Sequence, residues 1–281
     1  MKSLMMIARG FLIGTAEAIP GISGGTVALI VGIYRFLIET ISNFFLSLAG
    51  LVKKSIRPSS KIEWSKIGLI AIGMAIGLLA MARAIEPLLI NYPKITFSFF
   101  GGLVLASVYY PLRLAGKVSA ATSLWVIPGI FVGLLLSGEL FEWRLEVITP
   151  VAAAIAISAL VLPGVSGSFL LLLLGSYEKT ISALNNLDIA FLASFAFGAI
   201  IGLLTIVFLV RWFLNRFPQM TYLFMAGLML GTTPAIFTEL STDLVEYLPL
   251  FPAAFMGIGL VVAFIFIERR LNFSSSTDNG Q

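Results

Sequence analysis

Two short polar breaks hold the residues of this chain most able to do chemistry. The first reads Pro20-Gly21-Ile22-Ser23-Gly24-Gly25-Thr26. The second reads Pro163-Gly164-Val165-Ser166-Gly167-Ser168, and apolar stretches flank both. Proline and neighbouring glycines interrupt a helix. A helix that restarts after such a break presents unpaired N–H groups and the positive end of its dipole, which together suit an anion. Gly21, Gly24 and Gly25 in the first break, and Gly164 and Gly167 in the second, let backbone approach a ligand without a side chain in the way. Ser23, Thr26, Ser166 and Ser168 add hydroxyls that can hydrogen-bond a phosphate oxygen. Two such turns, entering from opposite sides, are expected to meet near the membrane midplane and share one phosphate. Small residues also serve close helix packing, and that is the expected use of the Gly73/Gly77 and Gly198/Gly202 pairs. Packing alone does not require a helix break.

Ionisable residues at membrane depth are the next candidates. Glu17 lies just before the first break. It could carry a coupling proton, or cap the turn through a hydrogen bond; both uses stay open. Arg83 and Glu86 stand one helical turn apart, so Arg83 could guide a phosphate from outside or simply pair with Glu86. Arg35 and Glu178 are expected at the interface. The chain has no Cys and no His. The commonest general base and the commonest metal ligand are therefore missing, and no catalytic residue, metal or cofactor is expected beyond proton or ion coupling. The Gly-Ile-Ser-Gly run superficially matches an intramembrane serine protease, but such an enzyme needs a histidine base.

The elements that position these breaks must lie in a membrane. The chain of 281 residues is 59% hydrophobic and 11% charged, against about 45–50% apolar and about 25% charged in soluble domains. Apolar runs long enough to cross about 30 Å of hydrocarbon recur along it. The short N-terminal stretch lacks a small-residue cleavage site, so no removable signal peptide is read.

The chain also repeats itself. Pro20 and Pro163, Gly32 and Gly175, and Tyr34 and Tyr177 are all separated by the same interval, which defines a first register. After a connector that is longer in the first copy, around Lys53 to Lys61, a second and shorter interval takes over. It relates Gly73 to Gly198, Gly77 to Gly202, Pro93 to Pro218, Thr96 to Thr221, and Gly102 to Gly227. Glu17 has Leu160 as its equivalent, so the shared architecture does not require it. Each copy starts with two apolar stretches around its break, about Leu4–Ile19 and Val27–Ile41, then about Val147–Leu162 and Phe169–Leu184. Each is shorter than a span, which predicts a re-entrant pair of half-helices. Three longer segments follow in each copy: about Lys66–Ile90, Thr96–Tyr110 and Ser123–Leu140, then Ile189–Arg211, Met220–Phe237 and Tyr247–Ile267. A re-entrant pair returns to its own side and three spans do not, so the second copy is expected to be inverted.

Charge placement tests that topology. With the N-terminus in the cytoplasm, Lys2, Lys53, Lys54, Arg57, Lys61, Lys66, Arg113, Lys117, Arg211, Arg216, Arg269 and Arg270 fall at cytoplasmic ends. The outer loops hold Glu139, Glu142, Glu146, Asp188, Glu239, Asp243 and Glu246, with Lys94, Arg144 and Lys179. The expected fold is thus an all-α integral membrane protein with N-in, C-in topology. It forms one membrane domain over 1–281, with repeat one at about 1–140, repeat two at about 145–270, and a polar cytoplasmic tail at 271–281, expected to be disordered from Ser274 to Gln281.

The two signatures, Glu17 to Thr26 with Gly32-Ile33-Tyr34 and Leu162 to Ser168 with Gly175-Ser176-Tyr177, resemble those of the polyprenyl-phosphate transporter family over nearly the whole chain. That resemblance implies translocation of undecaprenyl phosphate, the lipid carrier of envelope glycan synthesis, from the outer to the cytoplasmic leaflet of a prokaryotic plasma membrane for reuse. The implied partners are the lipid and the bilayer, with no nucleic acid; association with further copies is open. The family pattern more often has Asp where this chain has Glu17, which keeps the carboxyl. The phosphate head needs a polar path, whereas the isoprenoid tail can stay in lipid. Phe97, Phe99, Phe100, Phe191, Phe195 and Phe197 could contact that tail or face bulk lipid. Undecaprenyl-pyrophosphate phosphatases share inverted repeats and a similar turn, but Gly24 and Gly167 stand where their Arg would bind pyrophosphate. A transporter of a small soluble anion is the other alternative.

Overall fold

The computed structural model describes residues 2–19, 23–52, 62–137, 147–237 and 250–277. Gly21, the linker basics Lys53, Lys54, Arg57 and Lys61, and the loop residues Glu139, Glu142, Arg144, Glu146, Glu239, Asp243 and Glu246 lie outside them. Every element in the described residues is helical. Lipid offers no hydrogen bonds to an open backbone, so a helix, which satisfies its own, is the element such apolar sequence can form there. Among the described residues, three helical stretches are long and apolar enough to cross a membrane. They are α4 (Trp64–Asn91), the pair α5 (Pro93–Ser107) and α6 (Tyr109–Ala115) taken together, and α12 (Ile189–Arg216). Shorter apolar helices cover Ala120–Leu136, Thr149–Val161 and Leu250–Phe266. Large apolar side chains such as Leu79, Phe197, Phe255 and Phe266 stand exposed on the outside, as a lipid-facing surface requires. The chain is a helical membrane protein.

The helices around the breaks correct one expectation. The first copy has α1 (Lys2–Glu17), α2 (Gly24–Ile30) and α3 (Tyr34–Val52). The second has α9 (Thr149–Val161), α10 (Gly167–Leu173) and α11 (Tyr177–Asn185). The stretches Val27–Ile41 and Phe169–Leu184, each expected as one half-helix, are each two helices with a second break. Gly32 at φ 73° and Gly175 at φ 61° make those breaks. Each glycine ends its helix the same way. Gly32 N–H donates to Leu29 O and Ile33 N–H to Ala28 O; Gly175 N–H donates to Leu172 O and Ser176 N–H to Leu171 O. This left-handed closure satisfies the last carbonyls of the short helix. It turns the chain by 117° between α2 and α3. Gly32→Ala or Gly175→Ala places a Cβ in left-handed backbone and should cost about 1 kcal/mol, read as a lowered unfolding temperature of the purified protein.

The tall helices meet at corners of one design. Tyr92 and Phe217 end α4 and α12 with nearly equal backbone angles (φ −138° and −137°). Pro93 and Pro218 then open α5 and α13 (Pro218–Phe237), where a missing N–H costs nothing. Thr96 and Thr221 each donate their hydroxyl at 2.8 Å to the corner carbonyl, Tyr92 O and Phe217 O. The short α7 (Ala120–Ser123) leads into α8 (Val126–Leu136). The last helix, α14 (Leu250–Thr277), runs past the expected end at Ile267 and into the stretch expected to be a disordered tail. No proline or glycine stands between Gly259 and Gly280 to stop it.

Glycines set how these helices pack. α1 lies along α4 and α9 along α12. A Cβ on Gly73 would strike Ile7 O, and one on Gly77 would strike Phe11 O. At the equivalent places Gly198 lies on Pro150 O and Gly202 on Ala154 O. Ile7 corresponds to Pro150, and Phe11 to Ala154, in the first register. A crossed pairing joins the rest: α5 packs on α14, and α13 packs on α8. Gly257 lies on Phe99 O and Gly129 on Phe224 O; Gly102 lies on Ala254 O and Gly227 on Val126 O. These contacts add a third register, since Val126 is separated from Ala254 by the same interval as Gly129 from Gly257. Helix backbones approach this closely only where side chains are absent. At the centre, Met225, Leu228 and Met229 of α13 are fully buried.

Candidate functional site

The first break is closed by its own side chains. α1 ends at Glu17, whose Oε1 accepts the N–H of Gly24 at 2.9 Å. Ser23 caps α2, its Oγ accepting the N–H of Gly25 at 3.2 Å and its carbonyl accepting the N–H of Thr26. The leading amides of α2 are therefore satisfied within the chain. A Cβ on Gly24 would collide with the Glu17 carboxylate, so the absent side chain makes room for that acid. The acid at the start of α2 is thus an internal one.

The second break differs. Gly164 adopts φ 86°, with Met229 Cα only 2.8 Å from where a Cβ would sit, so glycine is required there on both counts. Ser166 caps α10, accepting the N–H of Phe169 at 3.4 Å, and its Oγ lies 3.1 Å from Ser168 Oγ. Leu160 stands where Glu17 stands in the first copy, and among the described residues no acid bonds the start of α10. The N–H groups of Gly167 and Ser168, in the first turn, have no acceptor within their helix.

The two breaks touch. Ser23 Oγ donates to Leu162 O at 3.1 Å, and the N–H of Gly164 donates to Thr26 Oγ1 at 2.8 Å. Tyr34 Oη donates to Val161 O at 3.2 Å just behind them. Thr26 is 1% exposed, so its hydroxyl serves this seam rather than an open site.

Beside the seam lies a cavity of ≈ 660 Å³. It brings together Glu17, Ser23, Gly164, Ser166, Gly167 and Ser168 from the sequence candidates. Gly24, Gly25 and Thr26 sit behind its wall, and Gly21 lies outside the described residues. Arg83 does not line it; Arg83 and Glu86 are both exposed and form no ion pair with each other. The remaining wall includes Phe97 of α5, Ser137 after α8, Tyr177 of α11 and Thr232 of α13. Tyr177 and Phe97 carried a signal, the first as a repeated landmark and the second as part of a Phe-rich run. Ser137 and Thr232 carried none: Ser137 is a lone hydroxyl at the end of an apolar helix, and Thr232 one of two adjacent threonines within another. None of the described side chains lining the cavity is basic. An anion here would be met by hydroxyls and backbone dipoles, with one carboxylate, Glu17, facing the same space.

Comparison with known proteins places the chain in a family. The family described as "VCA0040-like: Undecaprenyl phosphate translocase-like" matches residues 13–247. A protein of Vibrio cholerae named polyprenyl-phosphate transporter is 33% identical over 261 residues, covering 84% of this chain and 78% of its own. A Staphylococcus aureus protein of the same name is 30% identical over 261 residues, covering 86% of this chain and 88% of its own. No solved structure matches. With both broken-helix signatures inside the matched region, the chain belongs to the undecaprenyl phosphate translocase-like family.

Proposed function

We propose that this protein translocates undecaprenyl phosphate across the cytoplasmic membrane of a prokaryote, returning the lipid carrier for reuse in envelope synthesis. The observation that carries the reading is the cavity at the meeting point of the two broken helices, lined by Ser23, Ser166 and Ser168 and by the turn of Gly164 to Gly167. The phosphate head sits against the Ser166-Gly167-Ser168 turn, where hydroxyls and open amides converge and Glu17, bonded to Gly24, does not occupy the helix start. The isoprenoid tail remains in lipid, leaving past Phe97. Two inverted repeats, of about 1–140 and 145–270, with both termini in the cytoplasm, place the two breaks on opposite sides of the seam. The recurrence of the glycine contacts at constant intervals supports the two-copy reading.

Glu17 is the coupling group in this scheme. Two anions in one cavity repel each other, so a proton on Glu17 accompanies the phosphate. Arg83, outside the cavity, acts only in drawing the phosphate head toward the protein from the outer surface.

The test is protein-dependent movement of labelled undecaprenyl phosphate between the leaflets of liposomes. Ser166→Ala combined with Ser168→Ala removes two hydroxyls that would bond a charged group, and should slow movement by more than about tenfold. Unchanged movement with correctly inserted variant would put the phosphate elsewhere. Release of inorganic phosphate from undecaprenyl pyrophosphate in the same vesicles would instead support a phosphatase.

A further inference from the structure

A second groove, sharing no lining residue with the first, lies between α3 and the end of α12. Its volume is ≈ 590 Å³, and Leu46, Phe208, Arg211, Trp212, Asn215 and Arg216 line it. We propose that this groove binds the phosphate head of an anionic lipid.

Its chemistry is divided as a lipid is. Arg211 and Arg216 supply cations at one part of the wall, and Leu46, Phe208 and Trp212 supply an apolar bed. Trp212 is 55% exposed, an amphipathic ring of the kind that settles at the headgroup level. The polar wall is built rather than loose. Arg211 Nη1 donates to Oγ of the fully buried Ser42 at 2.6 Å. Arg35 Nη2 donates to Asn215 Oδ1 at 2.9 Å, which fixes that amide, while its Nε pairs with Glu39 at 2.9 Å. Of the described acids on this side, Glu39 is engaged by Arg35 and Glu63 by Lys66. Arg216 stacks near Phe217, 5.8 Å from the ring centroid, and forms no ion pair among the described residues.

The equivalent positions do not repeat these cations. In the second register Arg211 corresponds to Glu86 and Arg216 to Asn91; in the first, Arg35 corresponds to Glu178. With the copies inverted those equivalents fall at the opposite face, so charge placement across the membrane accounts for the sign of Arg211 and Arg216, but not for the apolar bed beside them. A free phosphate ion would leave Phe208, Trp212 and Leu46 uncovered, whereas a lipid phosphate with its chains fills both parts. Basic pockets between membrane helices are a known setting for such heads.

The test uses the full chain with Trp64→Phe, Trp125→Phe and Trp143→Phe, leaving Trp212 as reporter. The protein is placed in phosphatidylcholine bilayers containing brominated phosphatidylglycerol or, separately, brominated phosphatidylcholine. Brominated phosphatidylglycerol should quench Trp212 more strongly at equal mole fraction. Arg216→Gln should reduce that preference about fivefold, the effect of one surface cation near anionic lipid. Equal quenching by both lipids would overturn the proposal, as would relief of quenching by inorganic phosphate alone. Relief by unlabelled undecaprenyl phosphate would identify the transported class of lipid as the occupant; preference without that relief would identify a resident phospholipid. Native mass spectrometry of the unmodified chain gives an independent reading: phosphatidylglycerol retained by the parent and lost in Arg216→Gln supports the site, and equal retention overturns it. Neither assay measures transport, so a negative result leaves the reading of the first cavity standing.

Discussion

Glu17→Gln should abolish the response of lipid movement to an imposed pH gradient while leaving the protein folded. The glutamine carbonyl can still accept the hydrogen bond that Glu17 Oε1 takes from Gly24 N–H at 2.9 Å. It cannot take up and release a proton. Glu17→Ala removes both capacities and leaves the Gly24 N–H without its acceptor, at a cost of about 1 kcal/mol for a lost cap. Comparing the two variants separates the roles. Liposome transport with and without the gradient reads the coupling, and thermal unfolding of the purified protein reads the cap. A Gln variant that keeps its full gradient response, beside an Ala variant that merely loses stability, would reduce Glu17 to a structural cap.

Gly73→Val and Gly198→Val should destabilise the protein severely and to similar extents, whereas Gly68→Val should be nearly silent. All three lie in tall helices, so helix propensity is a shared term. The difference is what the new side chain meets. On Gly73 it strikes the backbone of Ile7, and on Gly198 that of Pro150, neither of which can move without shifting a whole helix. Overpacking typically costs about 1–3 kcal/mol even against side chains, and a backbone is less forgiving. On Gly68 it meets open space, and a change there should stay within about 0.5 kcal/mol. Unfolding followed by tryptophan fluorescence in detergent gives the comparison. Tolerance at Gly198 with intolerance at Gly73 would break the equivalence of the two helix pairs.

Much of the site is legible in the residues themselves, for a physical reason. Proline and glycine disfavour helix through local backbone geometry, and hydroxyl residues favour a helix start, so both breaks can be placed from Pro20 to Thr26 and from Pro163 to Ser168. The Gly-x-Tyr landmarks at Gly32 and Gly175 are visible too, but their use as left-handed helix ends is not. Glycine allows that conformation without compelling it, and only the carbonyls left open at the end of α2 and α10 make it worthwhile. The division of labour between the breaks is also hidden. Equal sequence signatures suggest equal use, yet Glu17 fills the start of α2 and Thr26 is consumed in holding Gly164.

By itself the sequence determined that the chain resides in a membrane, where its helices are interrupted, and which residues correspond across fixed intervals. Those are properties of composition and of local backbone, which any packing of the chain must respect. The tertiary structure alone decided that α5 packs on α14 and α13 on α8, that Ser137 and Thr232 reach the cavity while Arg83 does not, and that the open helix start is the one at Ser166. These depend on how rigid helices far apart in sequence settle against one another. That outcome is set by the shapes of whole helix faces, and no short stretch of residues encodes it.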